Sequence, residues 1–306
     1  MKEIKKIAKW LGIFLGCLIV FDVLFGLVMD RLWNNMPDTV YQAARTNTSL
    51  NRVEADVIVL GSSRAVHHYV TSILEDSLGT SVYNCGHDGM DLIYCDVVLD
   101  AIVKRHKPKI VILDMAEGYL NGHSKDRLDC LMPYIKSDSY ISEIMEELKG
   151  GSFTGLKLCN MYRYNDRVLN MACAYKSALD SEKGYTPKDG KSALVGKEPQ
   201  ISTPIKESEV DELEVAHLVH LIETCEANGI QLYIVNSPRY NIVEDAMAYT
   251  KSLCSGRSVT FLDYSSLLLE HPEMFRDSAH MLDNGAKAFT KELAMEMKNK
   301  YLQQIK

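Results

Sequence analysis

The pattern of apolar and polar positions divides the chain into unequal parts. Residues 10–29, WLGIFLGCLIVFDVLFGLVM, hold sixteen apolar residues, three glycines and one charge, Asp22. As a helix this run is about 30 Å long at 1.5 Å per residue, the thickness of a bilayer's hydrocarbon core. A polar stretch at 34–54 follows, and after it short apolar runs alternate with segments of helical length. The runs at 56–60 (DVIVL), 81–85 (SVYNC), 109–114 (KIVILD), 231–236 (QLYIVN) and 258–263 (SVTFLD) predict strands. Helices are predicted over about 64–78, 91–106, 208–228, 241–255 and 284–303. Near-continuous β-branched runs between helices mark parallel strands buried on both faces. The expected fold is therefore α/β: a three-layer, flavodoxin-like sandwich around a five-stranded parallel sheet, preceded by one transmembrane helix.

One stretch breaks the rhythm. Residues 115–207 separate the third and fourth strands and contain a predicted helix near 138–149, the tyrosine-rich CNMYRYNDR at 159–167 and the polar loop GYTPKDGKS at 184–192. This reads as an insertion folded over the ligand edge, which in open α/β sheets lies beyond the carboxyl ends of the strands. The expected organisation is a cytoplasmic tail and signal anchor at 1–31, a juxtamembrane linker at 32–54 and one domain at 55–306 carrying the insertion at about 115–207.

The flanks of the apolar run set its expected role. A cleaved signal peptide has an apolar region of only about 7–15 residues and ends at a small-residue site, whereas this run is longer and ends in Met29-Asp30-Arg31-Leu32-Trp33. Lys2, Lys5, Lys6 and Lys9 precede it, so the positive-inside rule leaves the N-terminus in the cytoplasm and the rest of a single-pass protein outside. Trp10 and Trp33 flank the run as interfacial anchors do. Asp22 is costly in lipid and points to a helix partner or a water-filled cavity, unless an isolated charge is simply tolerated there.

Composition adds less. With 306 residues, 46% hydrophobic, 25% charged and a net charge of −7, the chain is globular rather than disordered or collagen-like, and it lacks the positive field of a nucleic-acid binder. Residues 1–31 hold five Lys/Arg and three Asp/Glu, which leaves 29 against 38, or −9, for the rest. Seven of the eight cysteines lie outside the apolar run, none in a CxxC pair; neither a thiolate zinc site nor an obligatory disulfide framework is expected.

Candidate chemistry gathers after the strands: Gly61-Ser62-Ser63-Arg64 after the first, Gly86-His87-Asp88-Gly89 after the second, Ala116-Glu117-Gly118-Tyr119 after the third, Ser237-Pro238-Arg239 after the fourth, and Asp277-Ser278-Ala279-His280 before the last helix. A nucleophilic serine needs a base, a carboxylate that fixes the imidazole tautomer and backbone donors for the oxyanion. Ser63, His280 and Asp277 can fill the first three roles. The Ser63 amide sits at a predicted helix N-terminus, and Gly89, without a side chain, can bring its amide close to the same oxygen. Arg64 and Arg239 at this edge are candidates to bind a substrate phosphate or carboxylate, or simply face solvent. Tyr162, Arg163 and Tyr164 could stack on sugars or hold the insertion on the sheet. His67 and His68 do not make a metal site with His280, because adjacent helical residues point about 100° apart and no carboxylate cluster matches them. No cofactor or metal is expected.

These residues resemble the SGNH (GDSL-type) hydrolase superfamily. Its first block, Gly-Asp-Ser, is similar to Gly61-Ser62-Ser63 and implies Ser63 as the nucleophile. Its second block is similar to Asn84 and Gly89, and its last, Asp-x-x-His, to Asp277 and His280. The likeness covers about 55–120 and 229–303. Two positions depart from it: Ser62 replaces the acidic middle residue of the first block, and the third-block asparagine, an oxyanion donor, is missing after 109–115, with Asn121 near but displaced. A Gly-Ser-Ser variant on a single-pass anchor resembles the membrane-tethered, DltD-like and O-acetylation-associated branch. That resemblance implies a serine esterase or O-acyltransferase acting on acylated glycans or cell-envelope polymers at the lipid bilayer, Asn84, Arg64, Arg239 and Asn121 being possible substrate contacts. The alternative is a non-catalytic SGNH-like partner of a multi-pass membrane-bound O-acyltransferase, docked through Asp22 and the insertion.

Overall fold

The computed structural model describes residues 1–304 except 123–124, 151–152, 154–156, 166, 178, 180 and 204–205. In chain order the elements are α1 (Lys2–Asn34), α2 (Gln42–Asn51), β1 (Val57–Leu60), α3 (Ser63–His68), α4 (Thr71–Leu78), β2 (Val82–Asn84), α5 (Leu92–Val103) and β3 (Ile110–Asp114). The insertion contributes 3-10 turns at Glu117–Asn121 and Lys125–Tyr134, then α6 (Ser139–Lys149), α7 (Asn160–Arg163), α8 (Arg167–Lys176) and β4 (Gln200–Ser202). The chain continues with α9 (Glu212–Asn228), β5 (Gln231–Asn236), β6 (Asn241–Val243), α10 (Ala248–Leu253), β7 (Val259–Asp263) and α11 (Asp283–Gln304).

Five parallel strands form the sheet in the order β2-β1-β3-β5-β7. Val57 pairs with both Val82 and Ile110, which pairs in turn with Gln231. Omitting the two short strands outside it, this is the 2-1-3-4-5 order of the flavodoxin-like topology. Because side chains alternate across a strand, Ile58 and Leu60 enter a core with Val111, Leu113, Leu232, Ile234 and the helices α5 and α9. Val57 and Val59 enter the opposite core with Ile112, Tyr233, Leu74, Phe289 and Leu293 of α4 and α11. All five strands begin or end within a residue or so of the predicted limits, as buried apolar runs bounded by loops should.

Two helical expectations change, and one linker gains structure. The segment 64–78 forms two helices because tertiary partners take over at the break. The Tyr69 hydroxyl donates to Asp114 Oδ1 (2.7 Å), and the Val70 amide donates to Thr290 Oγ1 (3.1 Å). The segment 241–255 starts instead as β6, whose β-branched Ile242 and Val243 pair in parallel with Ile201 and Ser202, and only Ala248–Leu253 is helical. Residues 32–54 are no loose linker: α2 buries every residue from Ala43 to Leu50.

The first helix runs unbroken from Lys2 to Asn34 and is long and apolar enough to cross a membrane. Its last turns bury Gly26, Met29 and Trp33, with Gly26 against Asn160 and Trp33 against Tyr134 of the insertion. Trp33 is a core residue rather than an interfacial anchor. It is 2% exposed, donates from Nε1 to the Tyr134 hydroxyl (2.8 Å) and meets the Tyr164 ring at 5.9 Å. Asp22 finds its partner within the chain, where its carboxylate accepts from the Asn160 amide (3.0 Å), Asn160 Nδ2 (3.0 Å) and the Met161 amide (2.8 Å). Arg163 and Tyr164 both donate to Asp30 Oδ1, so these two residues tie the insertion to α1.

Between α5 and α9 lies a buried carboxyl. Glu214 is fully buried, its Oε2 accepts from the Ile93 amide (3.2 Å), and its Oε1 is unsatisfied. Burial, reinforced by the charge of Asp91, raises its pKa to about 8. The folded state then holds a proton that the unfolded chain releases near pH 4.5, so this group's contribution to stability falls as pH rises from about 4.5 to 8. Glu214→Gln keeps an acceptor for Ile93 and removes the titration. Unfolding of the full chain in detergent at pH 5 and pH 8 is expected to show a smaller loss of stability for the variant than for the wild type, the difference approaching at most about 1.4 kcal/mol per pH unit.

Candidate active site

Strand β1 delivers the chain to the sheet edge at Gly61, and the turn there is possible because this residue is glycine. Its φ is +141°, and a Cβ would lie 2.9 Å from Ala65 Cβ and 3.0 Å from the Asp114 carbonyl oxygen. The turn makes Ser63 the first residue of α3. Its hydroxyl oxygen stands 2.7 Å from His280 Nε2, and His280 Nδ1 lies 2.9 and 3.1 Å from the two oxygens of Asp277. A carboxylate only accepts hydrogen bonds, so Nδ1 carries the hydrogen and Nε2 presents the lone pair that accepts from Ser63. Residues 217 positions apart thus meet as a serine, a base and an orienting carboxylate.

The loop that carries the base is itself held. Asp277 Oδ1 accepts from the backbone amides of Ala279 and His280, both at 3.0 Å. Burial works to raise the Asp277 pKa, but those amides and the His280 ring outweigh it and hold the carboxyl below its ordinary value. Burial lowers the His280 pKa below that of a free imidazole, and the attraction of Asp277 offsets only part of this. Both shifts favour a neutral imidazole beside an ionised carboxylate near neutral pH, the state in which a base accepts a proton.

Behind the base sits His68, fully buried and with its pKa pushed well down by burial and by Arg64. Its Nε2 accepts from the Met281 amide (3.1 Å), so its Nδ1 carries the hydrogen and donates to Ser237 Oγ (3.0 Å). His67 faces the other way. Its Nδ1 lies 2.7 Å from the Thr186 carbonyl oxygen and its Nε2 lies 3.3 Å from Asp88 Oδ1. Burial would raise the Asp88 pKa, but the His67 contact and the charge of Arg45 outweigh it and bring the pKa down to about 2. With their nitrogens committed to separate partners, the three histidine rings form no metal cluster, and none occurs among the described residues.

The backbone donors are arranged differently from the expectation. The Gly89 amide donates to Ser62 Oγ (3.1 Å), and the Ser62 amide donates to the Tyr119 hydroxyl (3.2 Å). Tyr119 stands in the 3-10 turn after β3, the stretch that lacks the third-block asparagine, and Asn121 is half-buried at the end of that turn. No sequence motif marks Tyr119. The only signal is an aromatic residue in the loop after a central strand.

Of the possible substrate contacts, three are buried. Arg64 is buried and donates to Asp114 Oδ2 (3.0 Å), to the Met115 carbonyl (2.8 Å), and to Asn236 Oδ1 and the Ser237 carbonyl (both 3.3 Å). Asn84 staples the second-block loop to α3: its Nδ2 donates to the Ala65 carbonyl (2.6 Å) and its Oδ1 accepts from the Gly86 amide (3.0 Å). Arg239 is also buried, in the loop after β5. Residues 183–188 of the insertion reach the site as well. The Thr186 amide donates to the Val66 carbonyl, and Arg45 of α2 donates to the carbonyls of Gly86 and Gly184 and to Thr186 Oγ1. A cavity of about 460 Å³ opens at Gly89, lined also by His87, Asp88, Arg127 and Arg167.

No family model matches the chain, and no curated protein matches it. Solved structures with a similar fold include a provisionally assigned acylhydrolase from Bacteroides fragilis, 13% identical with a TM-score of 0.42, covering 87% of this chain and 99% of that one. Another is a protein from Streptococcus pneumonia provisionally described as a platelet activating factor, 11% identical with a TM-score of 0.41, covering 94% and 97%. A gut microbial diltiazem-metabolizing enzyme is 11% identical with a TM-score of 0.38, covering 82% of this chain and 46% of its own. At these values the functional reading rests on the side-chain geometry.

Removing one member of the buried Arg64–Asp114 pair leaves the other charged in a dry site, which costs about 3–5 kcal/mol, whereas an apolar pair of similar volume restores much of it. Chemical unfolding is expected to show that loss for Arg64→Met, with partial recovery in Arg64→Met combined with Asp114→Leu. Equal stability of Arg64→Met and wild type would contradict this assignment.

Proposed function

We propose that this chain is a membrane-anchored, extracytoplasmic serine esterase or O-acyltransferase of the SGNH type, acting on acyl groups of cell-envelope or exported glycans in the manner of the DltD-like branch. The observation that carries the proposal is the continuous Ser63–His280–Asp277 hydrogen-bonded series. In this scheme His280 Nε2 takes the Ser63 proton as Oγ attacks the acyl carbonyl, and Asp277 stabilises the imidazolium that forms. The backbone amide of Ser63 faces the developing oxyanion; that of Gly89 joins it once Ser62 Oγ releases it. His280 then returns the proton to the leaving oxygen, and water or a glycan hydroxyl takes the acyl group by the reverse sequence.

The N-terminal helix supports an anchor by length and hydropathy, and the lysines before it support a cytoplasmic N-terminus. The rival reading, a non-catalytic partner docked on a multi-pass acyltransferase, drew on two features: an unpartnered charge in the span and an incomplete oxyanion site. Asp22 is taken up by Asn160 and Met161, so only the second feature still favours it.

Incubation of the full chain with a fluorophosphonate probe tests the covalent mechanism. Labelling is expected in the wild type and in Ser62→Ala and is expected to vanish in Ser63→Ala; an unlabelled wild type would exclude an acyl-enzyme. The labelling rate is expected to rise with pH through the His280 transition, whose midpoint lies below the ordinary imidazole value of about 6.5. A midpoint well above 6.5 would contradict the burial of the base.

A further inference from the structure

The contact between α1 and the insertion fixes the height of the domain along the membrane-crossing helix. Asp22 lies seven residues before the end of the apolar run, about 10 Å along the axis. Residues 10–21, the part of the run before this contact, span only about 18 Å, well short of a hydrocarbon core of about 30 Å. The turns beyond Asp22 have two faces. Gly26 and Met29 are buried, Gly26 against Asn160 of the insertion, whereas Val23, Leu24, Leu27 and Val28 point outward, each about half exposed or more. Those outward residues complete the span only if they lie in lipid, and the segment of the insertion beside them then lies at the same depth.

That segment has the composition such a position requires. Leu158 is 74% exposed and Met161 is 48% exposed, both next to the α7 N-terminus that binds Asp22. The close approach is built in, since a Cβ on Gly26 would lie 2.4 Å from the Asn160 side chain. A bare carboxylate at this depth would be costly, but Asp22 is met by the two backbone amides and the side-chain amide of residues 160 and 161. The Lys136 side chain joins this contact, its Nζ donating to Asn160 Oδ1 (2.7 Å) and to the Leu158 carbonyl (3.3 Å).

We propose that residues 157–161 are a second membrane-contacting element, sunk into the headgroup and acyl boundary of the leaflet nearest the domain. Leu158 and Met161 lie among the acyl chains. The occupant of this exposed patch is phospholipid. The inference rests on the anchor reading above and is independent of the catalytic one. It makes the domain a body seated in the bilayer surface rather than one suspended from it.

The test uses the full chain in phospholipid nanodiscs with a photo-crosslinking amino acid placed, one position at a time, at 20, 158, 161 and 295. Val20 lies on the exposed face of α1, and Met295 is exposed on α11, across the sheet from α1. Phospholipid adducts detected by mass spectrometry are expected at 158 and 161 with yields comparable to position 20, and none at 295. Adducts at 20 with none at 158 and 161 overturn the inference and leave the anchor standing. Adducts at 158 and 161 to a second polypeptide instead of lipid overturn it in favour of a protein partner. Absence of adducts at 20 overturns the anchor reading, and the inference with it.

Discussion

The buried guanidinium of Arg64 is the interaction on which the site depends. It stands one residue after Ser63 and reaches down between strands to the Asp114 carboxylate at the end of β3, to the carbonyl of Met115 and to Asn236 and Ser237 at the end of β5. A planar fork can serve two strand ends at once in this geometry, which a lysine ammonium cannot. Tyr69, from the break between α3 and α4, donates to the same carboxylate, and Tyr119 lies at the limit of hydrogen-bond distance from it. The nucleophile turn is therefore tied to the sheet from beneath by charge. Steric fit closes it from the side, because only glycine at position 61 allows the chain to pass that close to Asp114.

The base is positioned by a separate set of contacts that converge on the same helix. His68, five residues after Ser63, accepts from the Met281 amide and so holds the residue following His280. Thr290 of α11 donates to the His68 carbonyl and accepts from the Val70 amide. The distance of 2.7 Å between Ser63 and His280 is thus set by α3, which carries Ser63 on one turn and grips the His280 loop with the next. A neutral, fully desolvated imidazole suits this task, since it offers one donor and one acceptor without the cost of burying a charge.

Much of the sheet was legible in the sequence because its strands are buried on both faces and read as unbroken apolar runs. The strand-end rule singled out Ser63, and the stretch before the last helix Asp277 and His280, and the structure brings the three side chains within hydrogen-bond distance. What could not be read were properties decided by partners distant in sequence. Arg64 looks like a surface cation until Asp114, fifty residues later, is seen beneath it. Trp33 looks like a membrane-interface residue until Tyr134 and Tyr164 surround it. The helix expected at 241–255 has the right spacing of apolar residues, but β4 gives Asn241–Val243 a strand to pair with, and pairing outweighs weak local propensity. The polar stretch 34–54 concealed α2 because its buried residues are mostly small or polar and carry no hydrophobic stripe.

The partners of the Gly89 and Ser62 amides show how the two departures from the motifs, Ser62 and the missing third-block asparagine, belong together. With serine rather than an acid as the middle residue of Gly61-Ser62-Ser63, a hydroxyl is present that accepts from the Gly89 amide. With Tyr119 after β3 in place of an asparagine, the Ser62 amide finds an acceptor of its own. An acid at position 62 would bring a full charge to the Gly89 amide, whereas a hydroxyl is a weaker partner and can rotate away about a single bond. Under the proposed mechanism the Gly89 amide, bonded to Ser62 Oγ, is released by one side-chain rotation when an oxyanion of higher charge density competes for it. On that mechanism the balance between those two acceptors, rather than the number of donors in the motif, governs how strongly a tetrahedral intermediate is stabilised.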